Sequence, residues 1–282
     1  AIVDGDCNDG NSSINPGVTE VPNNGIDDDC NPITEDNTLL VLSPVVFLQG
    51  AILNPNPGQE GLMRDDYRNN GLIPATSPYI DNITAASTVF DLGGTSGTGL
   101  IDDDIVDWVW VELRDAIDNT AVIESRSALL QRDGDVVDVD GVSALTFNSP
   151  TANYYLMIAH RNHIGIISAN TISLSGTVTA IDFSIDSELV TGGTNGIADI
   201  GGGLYALFSG DYSGDGQIQN SDKVAVEPLR GLSGYINADI DMNNEVQNTD
   251  LNIALNPNLG RGEQLAKRSL NLFAKRRNKT KN

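Results

Sequence analysis

Short apolar runs separated by clusters of Gly, Asn, Asp and Pro fill the first two thirds of the chain. Their length and spacing predict strands and turns rather than long helices. The runs fall at 39–53 (long enough for two strands), 87–92, 105–114, 121–130, 136–139, 154–162 and 171–187. Residues 107–114 mix alternation with continuous apolarity, as a strand between two packed layers does. The expected fold is mainly β, with a β-sandwich body at 38–187. The Gly/Thr/Asn/Asp-rich stretch 188–205 reads as a linker, although an apolar run resumes at Leu204. Helix is expected only beyond it, in a small α-helical unit at 206–262.

Composition narrows the partners. The 282 residues carry 16 Lys+Arg against 39 Asp+Glu, a net charge of −23. Residues 261–282 alone hold eight Lys/Arg and one Glu, so a basic tail (263–282) follows an acidic body. That balance argues against nucleic acid as a partner. No run reaches the roughly 18 to 20 apolar residues of a membrane span, because Ser43, Pro44, Gln49 and Gly50 interrupt the nearest. Cys7 and Cys30, the two cysteines, share one acidic segment (1–37) without His nearby. This favours a local disulfide over a thiolate metal site, and with it an oxidising, extracellular setting. A start at Ala1, with neither Met nor an apolar leader, reads as a processed chain or a fragment.

The strongest chemical signal is a duplication. Two twelve-residue stretches, 211–222 and 239–250, repeat with an offset of 28. An EF-hand-type loop supplies oxygens to a calcium ion from positions 1, 3, 5, 7, 9 and 12. In the first copy these are Asp211, Ser213, Asp215, the carbonyl of Gln217, Gln219 and Asp222. In the second they are Asp239, Asp241, Asn243, the carbonyl of Glu245, Gln247 and Asp250. Position 6, where the backbone turns sharply, is Gly216 or Asn244, both tolerant of positive φ. Position 8 is apolar in both, Ile218 and Val246. Acidic turns without an ion are the plainer alternative, but two copies in register favour Ca2+ over it. The first copy carries the stronger signal, and Mg2+ suits an all-protein cage poorly.

These loops resemble those of dockerin-like domains, over about 208–262. The resemblance implies a short helix after each loop and a recognition role for positions 10 and 11, here Asn220-Ser221 and Asn248-Thr249. Ser221 and Thr249 also suit helix N-caps, the reading favoured by their residue type. The helices are expected to end near Pro228 and Pro257. At the other end, the order Asp4-Gly-Asp-Cys-Asn-Asp-Gly, then Glu20, then Asn24-Gly-Ile-Asp-Asp-Asp-Cys30 resembles the MopE-type metal-binding motif of secreted bacterial proteins. It implies a Cys7–Cys30 disulfide around carboxylates that bind a cation, with Asp4, Asp6, Asp9, Glu20, Asp27 and Asp29 as candidates. An all-oxygen set points to calcium; a stapled acidic loop without an ion is the alternative.

Weaker features remain. Asp133, Asp135, Asp138 and Asp140 would either gather round an ion or decorate a hairpin. Asp102 to Asp104 reads as a solvated turn. His160 and His163, three apart on a strand, would face opposite sides and share no metal. Nucleophile-elbow and P-loop motifs are absent, and carboxylates are too numerous for a glycosidase pair to stand out.

The whole arrangement resembles secreted, multidomain surface proteins of Bacteroidota-type bacteria. It implies a non-enzymatic, calcium-binding structural protein that assembles with copies of itself or other surface proteins. The acidic body would meet the basic tail through Lys275, Arg276 and Arg277. The alternative is a secreted binding or adhesion module for a glycan or protein, docking through its dockerin-like unit.

Overall fold

The computed structural model describes residues 7–8, 10–21, 26–33, 39–93 and 100–264. The chain is mainly β, as its pattern predicts. Eleven strands are described: β1 (Leu40–Val45), β2 (Ile105–Asp115), β3 (Val122–Gln131), β4 (Val136–Val137), β5 (Leu145–Phe147), β6 (Ala152–His160), β7 (His163–Ile167), β8 (Ile172–Leu174), β9 (Thr179–Asp182), β10 (Ala198–Gly201) and β11 (Leu204–Ala206). A six-stranded sheet runs β4-β3-β2-β6-β7, with β8 also on β6, and a three-stranded sheet runs β5-β1-β9. The two sheets share one hydrophobic core, which makes the body a sandwich.

The central strand shows why the pattern was legible. β2 lies between β3 and β6, and its first ten residues are all buried. Trp108 and Trp110, two apart and so on one face, sit under 74–90: Trp108 Nε1 donates to the Pro74 carbonyl at 2.8 Å and Tyr79 packs 5.7 Å from Trp110. Val109, Val111 and Leu113 fill the other face. With layers on both sides, neither set of positions has to be polar.

Three sequence expectations fail locally. The second half of 39–53 is a helical turn, α1 (Gln49–Ile52), not a strand. All four of its residues are buried, so no alternation exists to distinguish the two conformations. Residues 87–90 form a 3-10 turn, its exposed positions facing solvent. Asp104 is not solvated: it is fully buried, accepts from Gly93 N–H and pairs with Arg68 at 3.2 Å. Arg68 comes from α2 (Asp66–Asn69), within the layer that covers the tryptophans.

The stretch 188–205 carries two 3-10 turns and the β10–β11 pair. It hydrogen-bonds to the body through Ala169 N–H to Leu189 O (2.8 Å) and Thr191 N–H to Ile167 O (2.9 Å). Beyond it lies a second core of Phe208, Ile218, Val226, Ile240, Val246, Leu251 and Leu255, which also takes in Ile164 of β7 and Ala198 of β10. Among the described residues, no helix is long and apolar enough to cross a membrane.

Candidate metal centres

The two repeated loops fold alike. The position 1 carboxylate accepts from the N–H groups of positions 5 and 6: Asp211 from Asp215 (3.0 Å) and Gly216 (2.9 Å), Asp239 from Asn243 (3.1 Å) and Asn244 (2.7 Å). The position 12 carboxylate accepts from positions 3 and 9: Asp222 from Ser213 (2.9 Å) and Gln219 (2.8 Å), Asp250 from Asp241 (3.0 Å) and Gln247 (2.7 Å). Gly216 and Asn244 take φ of 85° and 74°. Position 4 turns the same way, Gly214 at 71° and Met242 at 60°. A buried methionine there is costly, and sequence comparison of the copies marks that position only through its glycine partner.

Each loop is tied to the segment beyond the other loop's helix. Ile218 N–H donates to Arg261 O (2.9 Å) and its carbonyl accepts from Gly260 (2.8 Å); Val246 N–H donates to Leu232 O (2.8 Å) and its carbonyl accepts from Gly231 (2.8 Å). The copies are thus related by a pseudo-twofold exchange. The first helix, α3 (Asn220–Val226), is followed by a 3-10 turn containing Pro228. The second is a π-type turn (Asp250–Leu255), followed by one containing Pro257. Ser221 is not the N-cap of α3: Gln219 is, and Asp222 at position 12 accepts its N–H. Thr249 precedes the π-type turn without a side-chain capping bond.

The loops differ in charge density. Asp239, Asp241 and Asp250 are buried, with oxygens within 4.8 Å of one another. Position 3 of the first loop is an exposed serine and its Asp215 is exposed, and among the described residues no three of its carboxylates converge in this way. Burial, reinforced by Asp250 and Asp241, raises Asp239 to about 7, and burial with Asp241 raises Asp250 to about 6. Burial raises Asp241 as well. Three crowded carboxylates in a frame of inward-turned N–H groups are a donor set for a hard cation. Asn243, Glu245 and Gln247 lie round the same turn, Asn243 Oδ1 accepting from Glu245 N–H at 3.0 Å.

At the N-terminus, Cys7 and Cys30 form a disulfide. It closes a turn in which carboxylate oxygens of Glu20, Asp27 and Asp29 lie within 4.8 Å. Glu20 Oε2 accepts from Asp29 N–H (3.1 Å), while its Oε1 is enclosed with no hydrogen-bond partner among the described residues. Asp28, between Asp27 and Asp29, is buried and accepts from Val21 N–H (3.3 Å). Asp4, Asp6 and Asp9 lie outside the described residues, as do Lys275, Arg276 and Arg277.

The acidic run at 133–140 does not converge. Asp138 pairs with Arg126, Asp140 caps Val142 and Ser143 (both 2.9 Å), and Gly134 turns the hairpin at φ 98°. The histidines do meet, against the opposite-faces expectation, because they flank the β6–β7 turn rather than share a strand. Their Nδ1 atoms are 3.0 Å apart. His163 Nε2 accepts from Gly50 N–H (3.1 Å), which places its proton on Nδ1. His160 Nε2 faces Asp107 at 3.1 Å. Both rings are therefore neutral members of a hydrogen-bond chain, and burial lowers both pKa values. Burial opposes the charge of Asp107, but Arg161 (2.8 Å), His160 and Tyr235 outweigh it and hold it at about 2.

Comparison with known proteins finds a family model described as "Putative metal-binding motif" (the MopE type) matching residues 6–36. No curated protein matches the chain. Two solved structures are similar at low level, both interface mutants of a type II cohesin–X–dockerin complex from Acetivibrio cellulolyticus. The C-terminal interface mutant is 11% identical, covering 79% of this chain and 97% of that one, with a TM-score of 0.38. The N-terminal interface mutant is 13% identical, covering 55% and 82%, with a TM-score of 0.34. Likeness of that degree assigns neither a fold nor a partner.

Proposed function

We propose that the chain is a non-enzymatic, extracellular, calcium-binding structural protein, assembling into a surface fibre or matrix through contacts of its acidic body and basic tail. One observation supports this above the others: Asp239, Asp241 and Asp250 are buried together and form no ion pair with Lys or Arg among the described residues. Isolated buried charge is strongly unfavourable, and a divalent cation neutralises it while satisfying the free lone pairs. The N-terminal trio, closed by a disulfide and lacking thiol or imidazole donors, suits a hard cation for the same reason.

Light scattering on the purified chain, with millimolar calcium and then with chelator, tests the reading. Large particles that dissolve on chelation support it; a monomer under both conditions removes the assembly. Replacing Lys275, Arg276 and Arg277 with Glu abolishes assembly if the tail carries it.

A second reading, a binding module docking through its C-terminal unit, is favoured by the exposure of Asn220, Ser221 and Asn248 at positions 10 and 11. A monomer that pulls a defined protein or glycan from solution only with calcium would favour it over assembly.

A further inference from the structure

The β6–β7 turn of the sandwich reaches into the space between the two loops. Asn162, fully buried at its tip, spends its main-chain and side-chain groups on both. Its carbonyl accepts from Gly210 N–H at 3.0 Å, the residue just before position 1 of the first loop. Its Nδ2 donates to the carbonyls of Asn237 (3.1 Å) and Asp239 (3.0 Å), the latter being position 1 of the second loop. The two loops therefore begin on the same amino acid of a different part of the fold.

The support behind Asn162 is stiff. Its Oδ1 accepts from His163 Nδ1 at 2.7 Å, and His163 Nε2 is held by Gly50 N–H. Gly50 is itself pressed against the second loop: a Cβ there would lie 2.0 Å from the Ile240 carbonyl oxygen. On the other side Arg161 lies over Tyr67 (5.1 Å) and Tyr235 (4.3 Å) and is ion-paired to Asp107. Tyr67 Oη also reaches the Asp239 carbonyl at 3.4 Å. None of these side chains occupies a ligand position of either loop. What they fix is the backbone from which the ligands project.

We infer that Asn162 is a positioning residue that couples the two cation loops, so that filling either loop preorganises the other and the sandwich sets the affinity of both. The inference rests on the loops binding calcium, as proposed above. Binding at a site whose backbone is already held costs less ordering, and a strut shared by two sites makes their affinities reciprocal. An autonomous C-terminal unit would show neither property.

Calcium titration of the full chain, read site by site from the amide resonances of Gly216 and Asn244, tests it. In the wild-type chain both resonances move over the same calcium range. Asp222→Ala, which breaks the first loop, shifts the Asn244 midpoint to about tenfold higher calcium, a coupling of the usual size. Asn162→Ala weakens both loops and removes that effect, so that adding Asp222→Ala no longer moves Asn244, as a double-mutant cycle reads it. Tyr67→Phe keeps the ring over Arg161 and deletes one bond to the Asp239 carbonyl, weakening the second loop by about two- to threefold; it serves if Asn162→Ala fails to fold. Independent midpoints, with Asp222→Ala leaving Asn244 in place, overturn the coupling while the calcium sites stand. Resonances that ignore calcium altogether overturn both the sites and the coupling.

Discussion

Two regions of this protein, the sandwich and the second loop, treat their buried carboxylates in opposite ways. In the sandwich each faces a guanidinium: Asp65 and Asp104 share Arg68, Arg132 stands 3.8 Å from Asp65, Asp107 faces Arg161, and Glu112 faces Arg114, both the last two being 1% exposed. In the second loop Asp239, Asp241 and Asp250 face one another. The first arrangement is electrically complete and needs nothing from solution. The second stores repulsion that only protons or a cation relieve. The contrast separates charges already paired within the fold from charges that, on the function proposed above, a cation would answer.

The largest expected effect breaks the complete half. Arg161→Met strands Asp107 in the interior and should destabilise the chain by about 3–5 kcal/mol. Urea unfolding should show the loss without calcium and a somewhat larger one with it, since no ion answers Asp107 and Arg161 also backs the second loop through Tyr67.

Next comes the incomplete half. Calcium at about a hundred times its dissociation constant should stabilise the fold by about 3 kcal/mol for each loop it fills. Scanning calorimetry should show a higher Tm with calcium, and Asp250→Ala should remove the second loop's share of it. A Tm indifferent to calcium would place the three carboxylates with ordinary acidic turns.

A smaller effect appears with pH. Asp239 and Asp250 stand at about 7 and about 6 in the calcium-free fold, against 3.8 for a free carboxyl. The folded state then holds more protons than the unfolded one between those values. Their contribution to the calcium-free fold should therefore improve as pH falls from about 7 towards 4 and be lost as pH rises through the folded values. With calcium the sign reverses, because protons compete with the ion. The calcium-induced rise in Tm should shrink from about pH 7.5 to 5.5.

The smallest effect sharpens the comparison between the loops. Ser213→Asp gives the first loop the position 3 carboxylate of the second, and its calcium affinity should rise by about 1 kcal/mol or less. Calorimetric titration against the parent chain measures it.

Wherever a residue's role depended on its neighbours in the chain, it was legible. The duplicated spacing marked the position 1 and 12 aspartates, because a cation loop is a local device whose ligands recur at fixed offsets. The Asp4 to Cys30 order marked the N-terminal cluster, and short apolar runs bounded by turn residues marked β2, β3 and β6. What failed was decided by contacts distant in sequence. Gln49 to Ile52 could not be told from a strand, because all four residues are buried and show no alternation. Asp104 reads as part of a solvated turn until Arg68 is brought to it, and the two histidines read as facing apart until the β6–β7 turn brings them together.

The sequence by itself determined that the protein is mainly β, acidic and equipped with twin loops and a two-cysteine motif, since these follow from period, composition and spacing. Only the tertiary structure decided which loop concentrates its charge, that the body's buried acids are already neutralised, and that Asn162 stands between the loops. Burial and the pairing of charges depend on residues up to a hundred or more positions apart, as Gly50 and His163 are, and no local pattern encodes that distance.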